Sequence, residues 1–288
     1  MKALTYGSTL QFSTSVGGEI GSFNQNCKRQ QTQQHFINLN PLKLKRHRTL
    51  NLVPAHVSKD SNAHDVESGT FCDSLDGKWL LKAKGREVAS CLDGQCLFLV
   101  GMMGSGKTTV GEILSDALDY TFADSDKYVE KLMGGTSVAQ IFKESGEAYF
   151  REYESKALQK LSLVPQQVVA TGGGAVVRPL NWYCSFMNGI TVFLNVPLDA
   201  LARRIAAVGT DSFPLLDYDS ADSYTKAFTA LSALSKERSE AYANADATVS
   251  LLNLAACIGL KDVLDITPTT IAMEVLVQAQ KYLNSKRR

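Results

Sequence analysis

The sequence predicts an α/β fold of three layers, a parallel sheet flanked by helices on both faces. Three observations point to it. Short apolar runs alternate with stretches of helical period across residues 76–288. One run, Cys96-Leu97-Phe98-Leu99-Val100, leads into Gly101-Met102-Met103-Gly104-Ser105-Gly106-Lys107-Thr108, which fits the phosphate-loop pattern G-x-x-x-x-G-K-[ST]. The loop then opens a helix whose Val110, Ile113, Leu114 and Ala117 share one face, so strand, loop and helix follow in the order the motif requires.

Composition excludes several classes of function. The chain has 288 residues, 44% of them hydrophobic, enough for a substantial core in one domain over 76–288. A net charge of +1 provides no broad basic field for nucleic acid. The longest apolar candidate for a membrane segment, Val249 to Leu260, is interrupted by Ser250 and Asn253, so neither a membrane nor a nucleic acid is expected as partner. The six cysteines are scattered without a repeated C-x-x-C pair, which favours reduced thiols over a zinc site.

Residues 1–60 differ from the rest. Their acids are Glu19 and Asp60, against eight Lys and Arg residues among many Ser, Thr, Gln and Asn, and there is no secretory h-region. Such a leader resembles an organelle transit peptide, with the chloroplast stroma as the first destination; a disordered cytosolic tail has a similar composition. Residues 61–75 look like a linker. Leu75 to Leu92 suggests a helix interrupted by Gly77 and Gly85.

The phosphate loop demands close approach of backbone N–H groups to polyphosphate, which side chains at Gly101, Gly104 and Gly106 would obstruct. Lys107 supplies a point charge to the β- and γ-phosphates, and Thr108 Oγ1 offers a ligand to Mg²⁺. The expected cofactors are ATP and Mg²⁺, held by Gly101 through Thr109, with Met102, Met103 and Ser105 inside the loop. A chance glycine-rich turn is the alternative.

Tyr120 to Asp126 reads as a strand ending in two carboxylates, Asp124 and Asp126, which share one face if the segment is extended. One then lies near Mg²⁺ and the other near an acceptor hydroxyl. Helix N-cap acids fit the same Asp-x-Asp spacing. Ser137–Ser145 and Glu147–Leu163 read as helices broken at Gly146, and Arg151 with Glu154 stands at i,i+3, either orienting the guanidinium or forming a surface ion pair. Gln167 to Thr171 is the next strand. It runs into Gly172-Gly173-Gly174, which offers backbone amides and room for a ligand, or a hinge.

Thr191–Val196 forms a further strand, and Pro197 starts a helix through Arg203 and Arg204 to Val208. Gly209 to Tyr224, rich in Gly, Asp, Ser and Pro, suits a cover over the site. A helix bearing Arg238 and Tyr242 returns from it, Ala247–Leu251 is the last strand, and Thr267-Pro268 caps a terminal helix.

Together, GMMGSGKTTVG, Asp124-x-Asp126, Phe150-Arg151, TGGGAVVRP, ALARRIAAVGTDS and EAYANADA resemble shikimate kinase of the plant plastid type, over roughly residues 80–285. The resemblance implies a P-loop NTPase of nucleoside-monophosphate-kinase-like fold and transfer of the ATP γ-phosphate to the 3-hydroxyl of shikimate. It implies that Asp126 holds the ring hydroxyls and accepts a proton, that Lys107 and Asp126 are catalytic, and that Arg151 and Arg238 clamp the substrate carboxylate. Gly172, Gly173 and Gly174 would face the ring, Asp124 and Thr108 would serve Mg²⁺, and Arg204 would lie against adenine. One position departs from the family pattern: Phe213 precedes Pro214-Leu215-Leu216 where the family carries a lid arginine, and no Lys or Arg lies between Gly209 and Tyr224. A weak or inactive shikimate-kinase-like binding protein, or a kinase for another polyol acid such as gluconate, are the competing functions.

Overall fold

The computed structural model describes residues 75–209 and 222–287. The leader, residues 1–60, most of the linker, and Phe213 with its lid neighbours therefore lie outside the described residues. Among those described, the chain runs α1 (Leu75–Leu92), β1 (Cys96–Val100), α2 (Lys107–Leu118), β2 (Thr121–Asp124), α3 (Ser125–Leu132), α4 (Val138–Leu161), β3 (Gln167–Ala170), α5 (Pro179–Cys184), β4 (Gly189–Asn195), α6 (Leu198–Val208), α7 (Ser223–Tyr242), β5 (Ala247–Ser250), α8 (Leu251–Cys257) and α9 (Pro268–Lys286).

All four strand pairings are parallel, in the order β2-β3-β1-β4-β5. β1 sits in the middle, with Leu97 between Val168 of β3 and Ile190 of β4. All five residues of β1 and all four of β3 are buried, as strands covered on both faces require. Because the strands are parallel and β1, β3 and β2 are neighbours, the loops that follow them open along one edge of the sheet. The main core joins these strands to α2, α6 and α9 through Phe98, Leu114, Leu201 and Leu276. A smaller cluster of Val129, Ile141, Phe150 and Ala157 fixes α3 against α4.

Three expectations are corrected. β2 ends at Asp124 and Ser125 opens α3, so Asp126 is a helical residue and the two acids do not share a strand face. Asp124 is in fact the N-cap: its Oδ1 accepts from the Asp126 and Lys127 N–H groups at 3.0 and 3.2 Å. The last strand stops at Ser250, whose hydroxyl caps α8 from Leu251 onward. Finally, Gly85 does not interrupt α1; it lies at a crossing so close that a Cβ there would fall 2.1 Å from the Ala117 carbonyl oxygen of α2. The expected break at Gly146 is present as a kink within α4, with φ +82°.

Candidate active site

The phosphate loop connects β1 to α2. Gly104 and Gly106 have φ of +75° and +89°, and an added Cβ at Gly106 would find no atom nearer than 4.0 Å. At Gly106 it is thus the left-handed backbone, more than crowding, that excludes a side chain. Lys107 is buried. Its Nζ donates to the Gly101 and Met102 carbonyls, both at 2.8 Å, and to Ser105 Oγ at 3.2 Å. Burial lowers its pKa to about 8, against the opposing pull of Asp126 and Asp124.

A cleft of about 840 Å³ lies over this loop. Gly104, Gly106, Lys107, Thr108 and Thr109 line it together with Met103. Gly101, Met102 and Ser105 do not; their two carbonyls and one hydroxyl hold Lys107. Thr108 Oγ1 donates to Asp124 Oδ2 at 2.8 Å, so each oxygen of Asp124 has its own task, one on the helix cap and one on the threonine. Arg204, reaching from α6, donates through Nη1 to the Gly104 carbonyl at 3.2 Å and borders the same cleft.

The far wall is built around the three glycines after β3. An added Cβ on Gly172 would fall 2.5 Å from both Asp126 Oδ1 and Glu154 Oε1, and one on Gly174 would fall 2.1 Å from Arg151 Nη2. The glycines therefore make room for the charged side chains beside them, and the packing of Gly172 and Gly174 is not that of a hinge. Ser125, buried at the start of α3, accepts from the Gly172 N–H at 2.9 Å and ties the two segments together.

Arg151 forms a pair with Glu154 at 2.8 Å and with Glu147 at 2.8 Å. The Glu154 side chain is 0% exposed, so this is no surface ion pair. The guanidinium also stands 5.5 Å from the Phe150 ring centroid and 5.8 Å from that of Phe142, which leaves it one direction. Arg178 steadies the same turn of α4 by donating to the Arg151 carbonyl at 2.8 Å and Ser155 Oγ at 3.2 Å.

Arg238 of α7 is buried within reach of the Glu154 charge, and its Nε and Nη1 meet no hydrogen-bond acceptor among the described residues. Asp126 Oδ1 and Glu154 Oε1 are likewise buried without a partner. Burial, then the Glu154 and Asp124 charges, push the Asp126 carboxyl up to about 7. Burial also raises Glu154 despite its pairing with Arg151. Unmatched donors and acceptors this deep are costly in a structural role and useful in a binding one.

The fold thus brings Lys107, Thr108, Asp124, Asp126, Arg151, Gly172–Gly174, Arg204 and Arg238 to one cleft. The sequence assigns no role to Ser125, Arg178 or Tyr242, although Tyr242 stands out beside Arg238 on its helix. The last bore a usable signal: four residues after Arg238, it falls on the same helix face.

A family model described as shikimate kinase matches residues 103–257. Shikimate kinase 2, chloroplastic, of Oryza sativa subsp. japonica is 54% identical over 233 residues, covering 81% of this chain and 74% of the rice protein. Shikimate kinase 1, chloroplastic, of Arabidopsis thaliana is 55% identical over 72% of this chain and 68% of its own length. A solved shikimate kinase from Acinetobacter baumannii in complex with shikimate aligns with a TM-score of 0.56 at 29% identity, spanning 70% of this chain and 99% of that one. With the phosphate loop, the carboxyl–guanidinium wall and the parallel sheet all in place, the chain belongs to the shikimate kinase family.

Proposed function

We propose that the cleft transfers the γ-phosphoryl group of ATP to the 3-hydroxyl of shikimate. One observation carries this: a single cleft is lined by the phosphate loop and, around Gly172–Gly174, by the carboxyl of Asp126 and the guanidiniums of Arg151 and Arg238. A small polyol acid needs this layout, with guanidinium forks for its carboxylate and a carboxyl for its hydroxyls. The unpartnered donors of Arg238 and the oriented fork of Arg151 take the carboxylate. Asp126, ionised, accepts the proton of the attacking hydroxyl. Lys107 offsets charge on the transferring group, and Arg204 lies along the base of the nucleotide.

Thr108 Oγ1 and Asp124 Oδ2, 2.8 Å apart, are hard oxygen donors facing the loop, which fits the one or two protein ligands Mg²⁺ takes beside phosphate oxygens. They would hold it, and bound there it neutralises phosphate charge. Residues 1–60 act as a chloroplast transit peptide and 61–75 as a linker to the domain of 76–288, which works in the stroma; the acid-poor leader and the chloroplastic relatives support this. No described helix is long and apolar enough to cross a membrane. ADP release measured with ATP and Mg²⁺ is expected to depend on shikimate and not on gluconate. Release that is equal with either acid, or absent with shikimate, overturns the proposal.

A further inference from the structure

Tyr242 ends α7 one turn beyond Arg238 and is 4% exposed. Its Oη donates to the Gly173 carbonyl at 2.6 Å and lies 3.5 Å from Met102 Sδ of the phosphate loop. Its ring stacks on Phe193 of β4, centroids 4.6 Å apart and planes 6° apart, so the hydroxyl is delivered from a fixed platform. Gly173 is pressed from the other side by the phosphate loop, where an added Cβ would come 3.2 Å from the Met103 nitrogen.

A planar trans peptide points its N–H opposite to its C=O. Anchoring the Gly173 carbonyl therefore fixes the direction of the Gly174 N–H. Flanking glycines have no Cβ to resist rotation of that peptide, and the Ala175 N–H to Gly172 carbonyl bond at 3.1 Å closes the turn around it while leaving its own C=O to Tyr242. Gly173 and Gly174 both line the cleft beside Arg151 and Asp126. Resting on the function proposed above, we infer that Tyr242 is a positioning residue for the acceptor half of the site: its hydroxyl locks the Gly173–Gly174 peptide in the orientation that receives shikimate. Burial raises the phenol's pKa against the opposing pull of the neighbouring Arg238 guanidinium, so the hydroxyl remains a donor across the working pH range.

The test uses the full chain carrying Tyr242→Phe, which keeps the ring and its stack and removes only the O–H. The KM for shikimate, and its Kd by calorimetry without nucleotide, are expected to rise about tenfold, as for one lost well-aligned hydrogen bond, while the KM for ATP moves less than twofold. p-Aminophenylalanine at position 242 restores a donor and is expected to recover the shikimate KM. An unchanged shikimate KM in Tyr242→Phe, an equal rise in both KM values, or failure of the donor-bearing analogue to rescue would each overturn the inference. Absence of shikimate-dependent turnover in the unsubstituted chain sinks instead the function on which it rests, so the two failures are distinct.

Discussion

Asp126 and Lys107 are pushed toward neutrality from opposite sides. Buried and facing Glu154 and Asp124, Asp126 has its pKa raised from 3.8 to about 7, while burial lowers Lys107 from 10.5 to about 8. In the proposed mechanism both groups act in their charged forms. The kcat/KM for shikimate is therefore expected to climb as pH rises through about 7 and to decline through about 8, giving a narrow bell in the pH–rate profile of the free enzyme. Asp126→Asn should remove turnover by about a hundredfold or more, the range of a general base. It should also stabilise the protein. A folded-state pKa above the unfolded one means the carboxyl loses its proton less readily when folded, so stability declines as pH rises from about 4 to about 7. The Asn variant, having no proton to lose, is expected to melt several degrees above the parent at pH 8 and level with it near pH 4, by calorimetry.

Between elements, what was legible depended on length and on which partner set the local geometry. The phosphate loop could be read because its chemistry lies within eight consecutive residues. Where Asp124 stops the strand and caps α3, strand and helix signals overlap within three residues, and capping decided between them. The three-residue turns at Ala175–Val177 and Phe186–Asn188, and the six residues of α5, are too short to display a period. Arg151 and Glu154 could be paired by spacing, but that Glu154 is buried depends on β3 arriving from elsewhere in the chain. Gly85 is the sharpest case, since an isolated helix glycine looks like a flaw until the neighbouring helix is seen. Adding a methyl at 2.1 Å from the Ala117 carbonyl must push α1 off α2. Gly85→Ala is expected to destabilise the domain by about 1–3 kcal/mol, against the gain in helix propensity it would bring at an exposed position. Urea denaturation would measure this, and a stabilising outcome would mean the crossing has room for a methyl group.

Across the whole molecule, the sheet order gathers the segments after β1, β2 and β3 at one edge, and each brings a different group to the cleft: the phosphate loop, the Asp124 and Asp126 carboxyls, and the glycine wall. The segment between α6 and α7, Gly209 to Tyr224, contains Asp211, Asp217, Asp219 and Asp222 and no Lys or Arg. Phe213 stands there in the position at which the family pattern has an arginine. A phenyl ring contributes no charge to a phosphoryl group in flight, which leaves Lys107 of the phosphate loop as the cation assigned to it. In GTPases an arginine donor to that group accelerates transfer by about 10³ to 10⁵. Part of such an advantage should be recoverable here, because the remaining site residues are assembled in the same cleft. Phe213→Arg is expected to raise kcat for shikimate-dependent ADP release at least tenfold. The KM for ATP should change little, because the phosphate loop already holds the nucleotide before transfer begins and the added charge acts mainly where negative charge moves in the transition state. Equal and high kcat values for the native chain and the variant would show that phosphoryl transfer in this protein needs no cation from the lid.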